Sequence, residues 1–324
     1  MRNTIDFKIC FRGTALTALT AAATAATAAG CLHEAGEPDA RAGLAPATTE
    51  IIVTNGSSIN GPLLNGKGAP GSEVYGKDVV GVSAFGASLR GLTLQGSELA
   101  TVRASDGAVV SGAALVGATF NTHMPDDARI ALRIDAHAAT ASEHHAGSTV
   151  HHYALSYRAT GATVWTPVCS QRAGAPVLAI PLVGRWSYAE GVPGGGAKLD
   201  APDWITFACD GFALYKCVRL GYEPWTASAE VQLGGHHQAC TRAQRADYCG
   251  DGRSYTVASQ LINIFDNVGI QDDTASWSLE AEWAASGARC VSRPRVPGMA
   301  PDCALSKCGA SPSWGTTLIV TEAP

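Results

Sequence analysis

The chain has 324 residues, a formal net charge of −5 and 46% hydrophobic residues, enough for one large or two modest domains around a real core. Its basic residues form no dense stripe that would neutralise phosphates, which argues against nucleic acid as a partner.

Arg2, Lys8 and Arg12 precede an uncharged Ala/Thr/Leu stretch over 14–29, the layout of a secretory signal at residues 1–30. That stretch falls short of the roughly 20 strongly apolar residues a membrane-spanning helix needs. It ends in Ala28-Ala29-Gly30-Cys31, which resembles the lipobox of bacterial lipoproteins. The resemblance implies cleavage before Cys31, acylation of its thiol and attachment to a membrane; the lipobox usually has Leu where Ala28 stands, and ordinary cleavage at an Ala-x-Ala site is the alternative. Cysteine parity sides with the lipobox. Once Cys10 is removed and Cys31 acylated, Cys169, Cys209, Cys217, Cys240, Cys249, Cys290, Cys303 and Cys308 remain. This even number suits four disulfides in an oxidising compartment. Paired short Cys spacings of the kind that hold structural zinc are absent, and the pairing itself is not readable from the sequence.

Residues 31–50 are rich in Ala, Gly, Pro and charge without apolar periodicity, as a flexible tether would be. Over 51–124, Gly56, Gly61, Gly66, Gly71, Gly76, Gly81, Gly86, Gly91 and Gly96 recur at an interval of five, and Gly107, Gly112 and Gly117 resume the register. Two residues before these glycines stand Ile59, Leu64, Val74, Val79, Leu89 and Leu94, and Leu99, Val110, Leu115 and Phe120 continue the slot. Neither a helix nor a flat strand repeats by five. The runs around Ala108, Ala113 and Ala118 resemble pentapeptide-repeat proteins, which implies a β-helix with small and large apolar residues facing inward. The alternative is a β-meander with glycine turns, including a hairpin at Asp106-Gly107. Both are β.

From 125 to 293 the pattern predicts a disulfide-rich sheet domain. Ile130, Leu132 and Ile134 alternate with Arg133 and Asp135, and further strands are expected at 150–159, 164–169, 177–188, 254–265 and 276–283. Helices are expected at 212–220 and 236–248, each closing on glycine and each carrying or adjoining cysteines. The class is therefore α+β and β-dominated, with bridges clamping helices onto a sheet. A Cys/Pro-rich tail at 294–324 ends in a strand-like stretch at 316–321.

At Ala246-Asp247-Tyr248-Cys249-Gly250-Asp251-Gly252 the chain resembles the ADYC-domain family of exported bacterial proteins. Phe207-Ala208-Cys209, Lys216-Cys217-Val218, Gly221-Tyr222-Glu223-Pro224-Trp225, Glu282-Trp283 and Arg289-Cys290-Val291 carry the resemblance over roughly 140–293. It implies an extracytoplasmic location and brings no catalytic residues to transfer. The motif reads most simply as a helix end, a disulfide and a glycine turn, with Asp247 facing backbone amides or Arg242. Its functional reading makes Asp247 and Asp251 a carboxylate pair for acid/base or Ca2+ chemistry, although EF-hand spacing is missing.

Histidines come as His144-His145, His151-His152 and His236-His237, and a hairpin over 143–152 would bring two pairs together as metal ligands. Solvated loop histidines are the simpler expectation. Neither H-E-x-x-H nor G-x-S-x-G occurs, and no cofactor is expected. Two functions remain open. One is a lipid-anchored, non-catalytic envelope protein that binds a ligand or another envelope protein; the other is a secreted hydrolase of cell-wall or extracellular polymers using Asp247, Asp251, His236 or His237.

Overall fold

The computed structural model describes residues 52–54, 58–60, 69–169 and 176–324, all within the unit Pro46–Pro324. The expected signal, Cys31, the 31–50 tether and glycines 56, 61 and 66 lie outside the described residues. No described helix is long and apolar enough to cross a membrane.

Alternating apolar residues build an antiparallel sheet of eleven strands. Its order is β2 (Glu73–Tyr75), β14 (Trp204–Cys209), β11 (Ala179–Val183), β9 (Thr149–Ala159), β8 (Arg129–Ala141), β7 (Thr119–His123), β3 (Val80–Val82), β4 (Ser88–Gln95), β5 (Glu98–Arg103) and β6 (Val109–Ser111). Strand β10 (Thr166–Pro167) pairs with β9. The sheet curls so that β2 returns over the far strands, where the Leu92 amide donates to the Gly76 carbonyl at 2.8 Å and the Thr122 hydroxyl to the Tyr75 carbonyl at 2.5 Å. Val74, Leu89, Leu99, Phe120, Leu132 and Phe207 fill the interior it encloses. The strands run across residue 124 without a break, since β7 pairs with β8 from Thr119↔Arg133 to His123↔Arg129.

A second antiparallel sheet has the order β1 (Ile52–Thr54), β17 (Leu261–Phe265), β20 (Ile319–Ala323), β18 (Ser278–Ala284) and β19 (Gly287–Val291), so the end of the tail is an inner strand. Two ribbons, β12 (Arg185–Trp186) with β13 (Lys198–Leu199) and β15 (Ala227–Ser228) with β16 (Val231–Gln232), complete the strands. Helix α1 (Ala213–Arg219) packs Leu214, Tyr215 and Val218 in one apolar cluster with Ile180, Leu182 and Trp186. Helix α2 (Gly234–Arg245) packs Ala239 and Ala243 with Ile262, Ile264, Trp283 and Ile319 of the second sheet.

Over the described part of the glycine repeat the strands pair antiparallel, as a meander does. The hairpin at Asp106-Gly107 is present, with the Arg103 amide donating to the Ala108 carbonyl at 2.8 Å. The apolar slot is still the core slot: Val74, Val79, Leu89, Leu99, Leu115 and Phe120 are all buried. Ala113, assigned to an inward small slot by the repeat analogy, is exposed. The glycines mark reversals rather than coils. Gly86, Gly96 and Gly107 sit in hairpin turns at φ 82°, 63° and 72°. Gly81 instead leaves room for Phe120, whose ring lies 2.5 Å from where a Cβ would stand.

Four disulfides join Cys169–Cys209, Cys217–Cys240, Cys249–Cys303 and Cys290–Cys308. The expectation of bridges clamping helices onto a sheet is corrected: Cys217–Cys240 ties α1 to α2, and the other three bridges join strands, turns and the tail.

Candidate functional site

The family-like segment begins where α2 stops. The helix ends at Arg245 rather than continuing to 248, because Ala246 turns left-handed (φ 51°, ψ 40°). For a non-glycine residue that turn costs about 1–2 kcal/mol. It swings Asp247 back against the helix, and the bonds formed there offset the cost. Asp247 Oδ1 accepts the amides of Asp251 and Gly252, each at 3.2 Å, and Oδ2 takes the Gly252 amide at 3.1 Å. The same oxygen is paired with Arg242 and lies 3.5 Å from Arg245. All three side chains are almost fully buried.

A single buried carboxylate beside two buried guanidiniums leaves positive charge to be answered, and backbone carbonyls answer it. Arg242 donates to the Gly195 carbonyl, Arg245 to the Gly252 carbonyl, and Glu190 lies 3.7 Å from Arg245. Burial pushes the Asp247 carboxyl up, while Arg242 and then Arg245 pull it down. Burial lowers Arg245, against which Asp247 and Glu190 act. Residues 191–196 close over this cluster, with the Gln238 side-chain amide donating to the Gly196 carbonyl at 2.9 Å. A Cβ on Gly195 would meet the Asp251 carbonyl at 2.1 Å, so that approach requires glycine.

Tyr248 turns the other way. Its ring stacks on Trp283 at 5.3 Å, and its hydroxyl donates to Glu280 Oε1 at 2.5 Å. Arg295, fully buried, pairs with the same Glu280 oxygen at 2.6 Å and donates to the Ala243 carbonyl at 2.7 Å. Burial first, then the charge of Glu280, pushes the Tyr248 phenol well up. Cys249 bridges to Cys303. Gly250 lies so close to the Ser286 carbonyl that a Cβ would stand 1.7 Å from it. The side chains of Asp247, Tyr248 and Cys249 are thus each committed to an internal partner. Sequence reasoning placed Asp247 near Arg242 but missed Glu280, Arg295 and the 191–196 cover, because these pairings span many residues of chain and leave no local pattern.

The other candidates scatter. Asp251 accepts the Arg253 amide at 3.0 Å and faces its guanidinium, while its own backbone amide feeds Asp247. His236 is buried and stacked on Tyr222 at 6.1 Å, with neither ring nitrogen hydrogen-bonded. His237 is buried beside Trp186, bonds the Leu214 carbonyl at 3.1 Å, and is depressed to about 3 by burial. The hairpin over 143–152 forms but does not gather the histidine pairs. His145 Nε2 bonds the Gly221 carbonyl at 2.8 Å, and His144 packs against Gly221. His152 lies buried between Thr140 and Tyr215, depressed to about 4 by burial. His151 points to His137 instead, because successive residues of β9 face opposite sides of the sheet.

Among the described residues, three His, Cys, Asp or Glu donors fall within 4.8 Å of one another at Glu282, Cys290 and Cys308, whose sulfurs are joined in a disulfide. They line an open cleft with Arg289, Lys307 and Ser313. One oxygen of Glu282 is already taken by the Ser313 amide at 3.0 Å and the Thr317 hydroxyl at 2.6 Å.

The family model described as ADYC domain matches residues 112–297, more than half of the chain, and spans α1, α2, the buried Asp247 cluster and Arg295. No curated protein and no solved structure matches the chain.

Proposed function

The chain belongs to the ADYC-domain family, and from that premise we propose that it is an exported, lipid-anchored envelope protein whose folded body binds a ligand or another envelope protein and performs no catalysis. The observation that carries this reading is the internal commitment of the family motif. Asp247 has both oxygens bonded inside the fold, the Tyr248 hydroxyl is bonded to Glu280, and Cys249 is in a disulfide. A catalytic acid or base must reach its substrate within about 3 Å, and these groups face the interior.

Four disulfides support an oxidising compartment for the body. Ala28-Ala29-Gly30-Cys31 supports the lipid. The hydrolase alternative gains nothing from the side-chain positions, since His236 stacks on Tyr222 while Asp251 faces Arg253.

The test is fractionation of cells producing the full chain and its Cys31→Ser variant. We expect the first to sediment with membranes and to enter a detergent phase, and the second to stay in the aqueous phase. Identical partitioning of the two would overturn the lipid anchor.

A further inference from the structure

A histidine absent from every sequence pairing completes a different cluster. His137 on β8 and His151 on β9 bring Nε2 and Nδ1 within 3.0 Å of each other, with ring centroids 5.2 Å apart. Two nitrogens each about 2.1 Å from one ion stand about 3.0–3.4 Å apart, so the pair already has the spacing of adjacent ligands. Both rings are partly accessible.

The surroundings hold this arrangement. The His151 backbone amide donates to Ser97 Oγ at 2.8 Å, and the His137 ring packs on Tyr153 at 4.9 Å. Glu98, at the start of β5, lies alongside and accepts the Ser111 hydroxyl on Oε1 at 2.9 Å. A Cβ on Gly112 would stand 2.6 Å from Glu98 Oε1 and 3.7 Å from His137 Cε1, so the carboxylate already occupies the space that glycine leaves, close to the His137 ring. Glu98 bears on both histidines electrostatically, raising their pKa against the effect of burial.

We propose that His137, His151 and Glu98 bind a divalent transition-metal ion of the Zn2+, Ni2+ or Cu2+ class. The imidazole pair anchors the ion, the Glu98 carboxylate beside the His137 ring turns toward it as third ligand, and water takes the remaining positions. Imidazole with carboxylate is a donor set for these ions, while Ca2+ and Mg2+ prefer oxygen alone. Ser111 and Ser97 act as outer partners that orient the carboxylate and the His151 strand.

The experiment titrates Zn2+, Ni2+ and Cu2+ into the chelator-stripped full chain by calorimetry, alongside His137→Gln, His151→Gln, Glu98→Gln and a His144→Ala/His145→Ala control. We expect one ion per chain, an affinity loss of about tenfold or more for each ligand variant, and an unchanged control. Wild-type affinity in both histidine variants, or no binding by the wild type, would overturn the proposal. Should a histidine variant fail to fold, the Cu2+ electron paramagnetic resonance spectrum of the wild type decides. Two equatorial nitrogens support the site, and one or none overturns it.

Discussion

Asp247 is a carboxylate whose oxygens meet two buried arginines and two backbone amides, and its neighbours on the chain are equally committed. Removing its charge leaves Arg242 and Arg245 with one fewer partner in a dry interior. Breaking a buried pair in this way costs about 3–5 kcal/mol, so Asp247→Asn is expected to lower the unfolding free energy by that amount, read from urea denaturation. A change below about 1 kcal/mol would show that the cluster is not a brace. The buried histidines give a pH dependence of known sign. His237 and His152 titrate at about 3 and about 4 in the fold but near 6.5 when unfolded. Below that pH the unfolded chain takes up protons that the fold refuses. Their contribution is therefore full above about pH 6.5 and is lost as pH falls, at about 1.4 kcal/mol per unit for each histidine, until the folded values are reached. Glu73 and Asp247, whose pKa values burial raises, act in the opposite sense over the carboxylate range. Unfolding midpoints measured from about pH 7 to pH 4 should fall more gently in His237→Gln than in the wild type. Parallel profiles would contradict the assignment.

At the scale of elements, the glycine repeat separates what was legible from what was not. The interval of five and its apolar slot marked the buried residues, since Val74, Leu89, Leu99, Leu115 and Phe120 all lie in the core. The pairing direction was hidden, because turn glycines and coil-corner glycines look alike when only spacing is known. Individual substitutions tell the two glycine roles apart. Gly81→Ala should destabilise by about 1–3 kcal/mol through collision with Phe120. Gly86→Ala, at φ 82° with open space around it, should cost only about 1 kcal/mol in backbone strain. Equal melting temperatures for the two would contradict the meander. Helix α2 shows the same division. The helix and its cysteine were readable, but its start was placed at 236 and its end at 248, because Ala246 carries no mark of the left-handed turn that only Asp247's distant partners make worthwhile. Among the disulfides, the Cys249–Cys303 bridge spans 54 residues and Cys290–Cys308 spans 18. Loop entropy then predicts losses of about 4 and about 3 kcal/mol for the paired Cys→Ser variants, read as a larger fall in denaturant midpoint for the first.

At the scale of the whole molecule, composition and cysteine parity pointed to a disulfide-braced, β-rich body, which the two sheets and four bridges show. The sheet's continuity across residue 124, the inner position of β20, and the union of His137 with His151 depend on contacts between distant segments and have no signature in local pattern. The candidate catalytic residues became legible as a brace only once Asp247's two arginines and Tyr248's glutamate were in view. The central claim, an exported and lipid-anchored body held by four defined bridges, is tested most directly by non-reducing peptide mass spectrometry of the protein recovered from cell envelopes. The prediction is an acylated N-terminus at Cys31 with Cys169–Cys209, Cys217–Cys240, Cys249–Cys303 and Cys290–Cys308 as the linked peptides. A chain still beginning at Met1 with these cysteines as free thiols would contradict it.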